Sequence, residues 1–188
     1  ASPWLVDNVA GIIEAWEPGM AGGRAVAEVL FGDFNPGGRL PITVPRSVGH
    51  VQSFYNSKPS AFHRGRFYGS EREPLFEFGQ GLSYARFQYG DLRLPARIGL
   101  KDDLRLGLTV ENAGGPAGDE VVLVYLNDKV SSVTTPVRKL VAFARLRLEP
   151  HEKRTLDLVI PNSRFRLLDQ DLNPVVEPGE FEIIVGRD

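Results

Sequence analysis

The candidate catalytic groups of this sequence are the carboxylates near its beginning, Glu14, Glu17, Glu28 and Asp33. Hydrolysis of a glycosidic bond uses two carboxyl groups across a sugar ring, one of them usually a general acid with a raised pKa. Glu17 follows an apolar run that predicts a buried strand, and open α/β sheets bind ligands beyond the carboxyl ends of their strands. We therefore predict that Trp16 and Glu17 line a pocket. A single acidic loop residue forms no carboxyl pair, so no catalytic residue is assigned.

Other functional groups give no pattern for a phosphate, metal or triad site. The glycine-rich turn at residues 18–23 lacks Gly-Lys-Ser/Thr and GxGxxG, so it predicts a tight turn rather than a phosphate loop. His50, His63 and His151 lie in separate segments, without the spacing of metal ligands. There is no Gly-x-Ser-x-Gly elbow and no cysteine, which excludes thiolate sites and cysteine nucleophiles. We expect no metal and no cofactor.

Charge and hydropathy exclude two classes of partner. The net charge is −2, from 22 basic and 24 acidic residues. This balance predicts no binding to nucleic acid and none to an acidic membrane surface. No apolar run approaches the ~20 residues that span a bilayer. The sequence does not choose between a secreted or periplasmic location and a cytoplasmic one.

The sequence pattern of the first 45 residues is typical of an α/β protein. Residues 9–16 are nearly continuously apolar, which is typical of a strand buried on both faces. Residues 22–30 have apolar side chains at helical spacing, and residues 39–45 predict a short edge strand between prolines. One parallel βαβ unit cannot supply the neighbouring strands and covering helices that such a sheet needs. We therefore interpret residues 1–45 as the end of an incomplete α/β domain, and the single methionine, Met20, fits a chain that is part of something longer.

Residues 46–81 predict a connector rich in Gly, Pro, Ser, arginine and aromatic residues. Its aromatic side chains would be too exposed unless it lies along a neighbouring domain. Cations and aromatics around His63 could also grip a sugar or a nucleic acid strand. We favour the first interpretation, in which aromatic residues anchor the connector.

Residues 82–188 alternate with period two. Leu104, Leu106, Leu108 and Val110 alternate with more polar residues, and three further runs do the same between turn signals. Residues 121–126 are apolar at every position, which predicts a central strand. About seven short strands at this spacing predict an antiparallel β-sandwich of immunoglobulin or fibronectin type III kind. The whole chain is thus expected to be mainly β, with an α/β piece at its start.

Seven ordered segments resemble glycoside hydrolase family 3, the β-glucosidase and β-xylosidase group. They are AWEPGMAGG at 15–23, VLFGDFNPGGRLP at 29–41, FYNSKPS at 54–60, PLFEFGQGLSY at 74–84, GDEVV at 118–122, PVRKL at 136–140 and EPGEF at 177–181. The resemblance implies a barrel, then an α/β sandwich domain, then a fibronectin type III-like domain. This chain resembles the end of the second domain and all of the third.

The resemblance also implies where catalysis occurs. The family's nucleophile is an aspartate of the barrel, and its acid/base glutamate lies upstream of the AWEPG segment. Neither motif has a match here, so no catalytic residue is carried over. Met20 and Ala21 stand where the family commonly has polar residues, so no polar contact of that loop is carried over either.

The resemblance implies a non-catalytic C-terminal part of a retaining, exo-acting β-glycosidase that hydrolyses terminal β-linked sugars. Its partners would be the barrel and the remaining α/β domain of the same enzyme, together with a carbohydrate substrate. The chain alone is expected to be inactive. The alternative is a free-standing fibronectin-like interaction or carbohydrate-binding module. The incomplete βαβ unit argues against it, because a self-sufficient module would not carry part of a sheet.

Overall fold

The computed structural model describes residues 2–50, 53–59 and 73–186. Two α-helices lie in its first part, α1 at Pro3–Asn8 and α2 at Gly22–Phe31. The Ser2 hydroxyl accepts a hydrogen bond from the backbone N–H of Leu5, and Pro3 occupies the first turn, so α1 has the ordinary start signals of a helix. The prediction of a helix at 22–30 is confirmed, and Gly32 ends it with a φ of 84°.

Eight strands follow in the second part of the chain. They are β1 Phe87–Arg93, β2 Leu104–Asn112, β3 Gly118–Asp128, β4 Lys139–Leu148, β5 Lys153–Ile160, β6 Leu167–Leu168, β7 Pro174–Val175 and β8 Phe181–Val185. A 3₁₀ helix at Asn162–Phe165 joins β5 to β6. The two shortest strands, β6 and β7, pair only with each other.

Two antiparallel three-stranded sheets form the sandwich, in the orders β1-β2-β5 and β4-β3-β8. Their facing sides bury a continuous core that includes Leu108, Val110, Val122, Val124 and Leu148. The period-two alternation creates this core because successive side chains of a strand point to opposite faces. The predicted mainly β fold with a fibronectin type III-like sandwich is confirmed.

The apolar run at residues 9–16 is not a strand in the structure. It is extended and mostly exposed, and no backbone hydrogen bond joins residues 10–16 to another part of the described chain. The edge strand expected at residues 39–45 is reduced to one bridge, between Val44 and Phe76. Both differences have the same physical reason, since a strand forms only when a neighbour accepts and donates its backbone hydrogen bonds.

The described parts of the connector lie along the outer face of the β4-β3-β8 sheet. The Tyr55 ring stacks on Phe78 at 4.3 Å between centroids and meets Tyr125 of β3 at 5.9 Å. Burial raises the pKa of the Tyr125 phenol, over whose ring the Arg138 guanidinium lies. Aromatic anchoring of the connector is thus present here, although Phe54 remains exposed. The connector residues around His63 lie outside the described part.

Candidate functional site

The predicted site residues Trp16 and Glu17 lie in the loop that leads into α2. Trp16 adopts a φ of 49°, a backbone conformation that is uncommon for a bulky residue. Its side chain is 57% exposed, and Glu17 beside it is also exposed. The structure therefore places an indole and a carboxylate next to each other on an open loop.

Two glycines shape this loop. Gly19 has a φ of 66°, which the chain needs to turn back toward the helix. Gly22, the first residue of α2, packs so closely on Pro18 that a Cβ there would lie 2.6 Å from the proline ring. The backbone N–H of Gly22 donates to the carbonyl of Gly19 at 3.1 Å. The PG-x-x-G spacing thus fixes a tight turn, as predicted, and holds the Trp16–Glu17 pair above the helix start.

Chemically, an indole with a neighbouring carboxylate suits the recognition of a polyol. The ring offers a flat apolar face, and the carboxylate accepts hydrogen bonds from hydroxyl groups. Of the other three candidate carboxylates, Glu28 is held by Arg24 in an ion pair of 2.6 Å one turn along α2. Glu14 and Asp33 are exposed.

A second group of residues, which the sequence did not predict as functional, joins α2 and the loop after it to the sandwich. Asn35 is its centre. Its Oδ1 accepts hydrogen bonds from the Ser83 hydroxyl at 3.0 Å and from the backbone N–H of Tyr84 at 2.8 Å. The Tyr84 hydroxyl in turn donates to the carbonyl of Val29 at 2.7 Å, near the end of α2. A Cβ at Gly118 would lie 2.0 Å from the Asn35 amide nitrogen, so a larger residue at the start of β3 would push the Asn35 side chain out of its present position.

A buried charged cluster lies beside Asn35. The Arg39 guanidinium and the Tyr89 hydroxyl both donate to the Glu120 carboxylate. The exposed fractions of the side chains are 11% for Arg39 and 7% for Glu120. A carboxylate removed from water to this extent requires such partners. We refer to Asn35, Arg39, Ser83, Tyr84 and Glu120 together as the joint.

One signal in the sequence could have revealed the joint. Glu120 has the same parity in β3 as Val122 and Val124, which the alternation places in the core. A carboxylate on the buried face of a strand predicts a cationic or hydroxyl partner from elsewhere. The partner is Arg39, which lies 81 residues away in the sequence, and no local pattern identifies it.

No cluster of His, Asp or Glu that could hold a metal ion occurs among residues 2–50, 53–59 and 73–186. His50 is buried, His151 is exposed in a turn with a φ of 63°, and His63 lies outside these ranges. None of the helices in the same ranges is both long and apolar enough to cross a membrane.

Comparison with protein-family models assigns both halves of the chain. Residues 1–84 match the glycosyl hydrolase family 3 C-terminal domain. Residues 120–188 match the fibronectin type III-like domain. The first match includes the Trp16–Glu17 loop and most of the joint, and the second includes Val122, Val124 and Leu148 of the sandwich core but not the core residues of β2.

Curated relatives are glycosidases. A β-xylosidase from Formosa agariphila is 40% identical over 97% of this chain, which corresponds to 26% of the relative. A periplasmic β-glucosidase from Salmonella typhimurium is 35% identical over 94% of this chain and 24% of its own length. The chain thus spans about a quarter of the length of the curated relatives that it matches.

Solved structures give the same result. A β-glucosidase from Erythrobacter marinus superimposes with a TM-score of 0.90 at 39% identity, over 98% of this chain and 24% of that one. A β-glucosidase from Listeria innocua in complex with gluconolactone gives a TM-score of 0.85 at 32% identity, over 92% of this chain and 25% of that one. The order of motifs, the fold and the relatives agree, and the chain belongs to glycosyl hydrolase family 3, as its C-terminal domain followed by a fibronectin type III-like domain.

Proposed function

We propose that this chain is the C-terminal, non-catalytic part of a retaining, exo-acting β-glycosidase of β-glucosidase or β-xylosidase type. Its first part, residues 1–45, completes the α/β domain beside the active site. Residues 46–81 connect it to the sandwich of residues 82–188, which braces the assembly. In this proposal the barrel and the rest of the α/β domain supply the catalytic carboxyl groups.

The observation that supports this proposal is the uncovered apolar surface of residues 4–31. Trp4, Ile13, Leu30 and Phe31 are all exposed, with Phe31 at 85%. A helix and an extended run that are apolar and uncovered need a partner surface. The missing strands and helices of the same α/β domain are its natural occupant, because the relatives are about four times as long as this chain.

Within that assembly, we assign Trp16 and Glu17 to the wall of the substrate pocket. The indole would stack on the C–H face of a sugar, and the Glu17 carboxylate would accept hydrogen bonds from its hydroxyl groups. Neither group would transfer a proton or form a covalent bond, since the carboxyl pair lies in the other domains. The substrate is a carbohydrate with a terminal β-linked glucose or xylose.

A chimera tests the proposal. This chain would replace the corresponding segment of the β-xylosidase from Formosa agariphila, to which it is 40% identical. We expect the chimera to hydrolyse an aryl β-xyloside, the same relative lacking the segment to be inactive, and this chain alone to be inactive toward aryl β-glucosides and β-xylosides. Turnover by the isolated chain that disappears in Glu17→Gln would refute the non-catalytic assignment.

The pocket-wall role has its own test in the chimera. Trp16→Ala and Glu17→Gln are each expected to raise KM by about tenfold, the equivalent of ~1.4 kcal/mol of binding free energy, with a smaller effect on kcat. Leu172→Ala, an exposed apolar residue of the sandwich, is the matched control and should change neither constant. Unchanged KM in the Trp16 and Glu17 variants would remove these residues from the pocket but leave the proposed architecture intact.

A further inference from the structure

A cleft of about 340 Å³ opens at one end of the β4-β3-β8 sheet. The connector, the loop before β4 and the segment from the 3₁₀ helix to β6 form its walls. It lies apart from both the Trp16–Glu17 loop and the joint, none of whose residues line it. The volume is within the range of sites for small molecules.

Four cationic side chains line this cleft: Lys58, Lys139, Arg164 and Arg166. None of them forms an ion pair with a carboxylate of the described residues. Within the described chain, the Lys139 ammonium donates to the backbone carbonyls of Arg164, at 3.0 Å, and Arg166, at 3.3 Å. Burial, and secondly the charge of Arg164, lowers the pKa of Lys139. An anionic group would be stabilised here by cations that the protein leaves without a counter-charge.

Among the described residues that line the cleft, Asp128 is the one carboxylate. Burial is the main cause that raises its pKa. Its buried Oδ1 has no hydrogen-bond partner within the described part of the chain. This oxygen can therefore still gain a hydrogen bond from a ligand hydroxyl.

The remaining lining combines apolar and hydroxyl groups. Leu126 and Phe165 are buried core residues that contribute to the lining, and Phe165 meets Phe181 edge-on at 5.4 Å between ring centroids. Thr134 and Asn56 are exposed and provide polar groups on the walls. A ligand that matches all of these groups has an apolar C–H face, several hydroxyls and a negative charge.

We propose that this cleft binds a short saccharide that carries a carboxylate, such as a hexuronic acid dimer. The saccharide carboxylate lies between Arg164, Arg166 and Lys139, and its hydroxyls contact Asp128 and the wall residues. Arginine side chains suit this role because the guanidinium can donate two parallel hydrogen bonds to a carboxylate. The inference does not depend on the proposed function, because the site lies entirely within the sandwich and the connector.

An NMR titration of the ¹⁵N-labelled chain tests this site, with digalacturonic acid as the probe. Xylobiose and sulfate, each at matched ionic strength, serve as ligand controls. We expect digalacturonic acid to shift the amide signals of Thr135, Lys139 and Arg166 and to bind about tenfold more tightly than either control. Equal binding of xylobiose would show a neutral-sugar site and equal binding of sulfate a simple anion site. Either result, or shifts located elsewhere in the chain, would overturn the proposal.

The double variant Arg164→Ala, Arg166→Ala should weaken binding of digalacturonic acid by about tenfold or more. Both side chains are exposed, and alanine keeps the backbone carbonyls that accept from Lys139, so the fold should survive. The matched control is Arg145→Ala, Arg147→Ala, which removes two exposed arginines from β4 without touching the cleft. If both double variants bind the probe as the parent chain does, the cleft cations are not the binding site.

Discussion

Two regions of this chain have similar apolar sequences and opposite structures. In β3, the run from Val121 to Leu126 pairs with β4 on one side and, toward its end, with β8 on the other, and most of its side chains are buried. The apolar run at residues 9–16 has no such partners in the described chain and remains exposed. Apolar composition therefore predicts which residues seek burial, but neighbouring strands determine whether a strand forms.

The joint is intermediate between the paired strand β3 and the unpaired run at residues 9–16. Residues 35–45 form no regular strand, yet Asn35 and Arg39 are held by side chains and backbone groups of the sandwich. Leu40 adds backbone hydrogen bonds of 2.8 Å to both Gln80 and Gly79. A segment without its own sheet can thus be ordered when specific polar contacts replace the missing ladder.

The largest expected contrast is in amide hydrogen exchange. Residues 10–16 should exchange almost as fast as an unfolded peptide, because their amides have no hydrogen-bond acceptor in the described chain. The central amides of β3 should be protected by the full free energy of unfolding, roughly 5–15 kcal/mol. Exchange measured by mass spectrometry at peptide resolution makes the comparison. Equal protection of both regions would mean that residues 10–16 find a partner, for example in a second copy of the chain.

Val124→Asp should unfold the sandwich. Val124 is 0% exposed, and an unpaired carboxylate there must lose its hydration or take up a proton, at a cost of several kcal/mol. Arg147→Asp is the control, since that side chain is 62% exposed and its carboxylate neighbours, Asp119 and Glu149, lie 3.9 and 3.8 Å away. The substitution loses two long, solvent-exposed ion pairs and adds like-charge repulsion, so it should cost no more than about 1 kcal/mol. Thermal melting of both variants measures the difference, and comparable losses would contradict the assigned faces of β3 and β4.

Glu120→Ala should cost about 3–5 kcal/mol, because it leaves the Arg39 guanidinium buried without its counter-charge. Glu120→Gln should cost less, since its carbonyl oxygen can still accept from Arg39 and Tyr89. Denaturant unfolding gives both free energies. Arg145→Ala, which breaks an exposed ion pair on the same strand pair, should cost about 0–1 kcal/mol. If Glu120→Ala costs no more than Arg145→Ala, the buried cluster does not stabilise the joint.

The strands of the sandwich could be predicted from sequence because each carries its own period-two pattern and turn signals. Helix α2 could be predicted for the same reason, from its apolar spacing and from Gly32 after it. Helix α1 was missed although Ser2 and Pro3 are ordinary start signals, because it has only 6 residues and no buried face to give a period. An element can thus be predicted from local sequence when it has both an apolar period and residues that mark its ends.

The joint and the cleft could not be predicted in this way. Asn35 accepts hydrogen bonds from Ser83 and Tyr84, which lie 48 and 49 residues away in the sequence. A local hydrophobic period cannot predict contacts between residues so far apart. The cleft cations come from the connector, from β4 and from the segment after β5, which only the fold brings together. Trp16 and Glu17 were singled out because they follow a predicted buried strand, which does not form in the described chain, and their role in a pocket stays a prediction.

The smallest expected effect concerns Asp91, on the outer face of the sandwich at the irregularity of β1. Its Oδ2 accepts a hydrogen bond from the Thr109 hydroxyl at 3.0 Å and lies 3.4 Å from the Lys153 ammonium. The Thr109 hydrogen bond, followed by Lys153, lowers the pKa of Asp91 below its ordinary value. A carboxyl with a depressed folded-state pKa stabilises the protein above the unfolded-state pKa, and this contribution is lost as the pH falls through the folded-state pKa.

Asp91→Asn should therefore lower the melting temperature slightly at about pH 7, and the difference from the parent chain should shrink below the unfolded-state pKa of ~3.9. Asparagine tolerates the φ of 50° found at this position, so the substitution tests the charge and not the backbone. Asp171→Asn, in an exposed turn, controls for the removal of one negative charge. A difference that stays constant from about pH 7 to about pH 3 would mean that Asp91 acts through its shape and neutral hydrogen bond, because a charge effect must titrate with the carboxyl group.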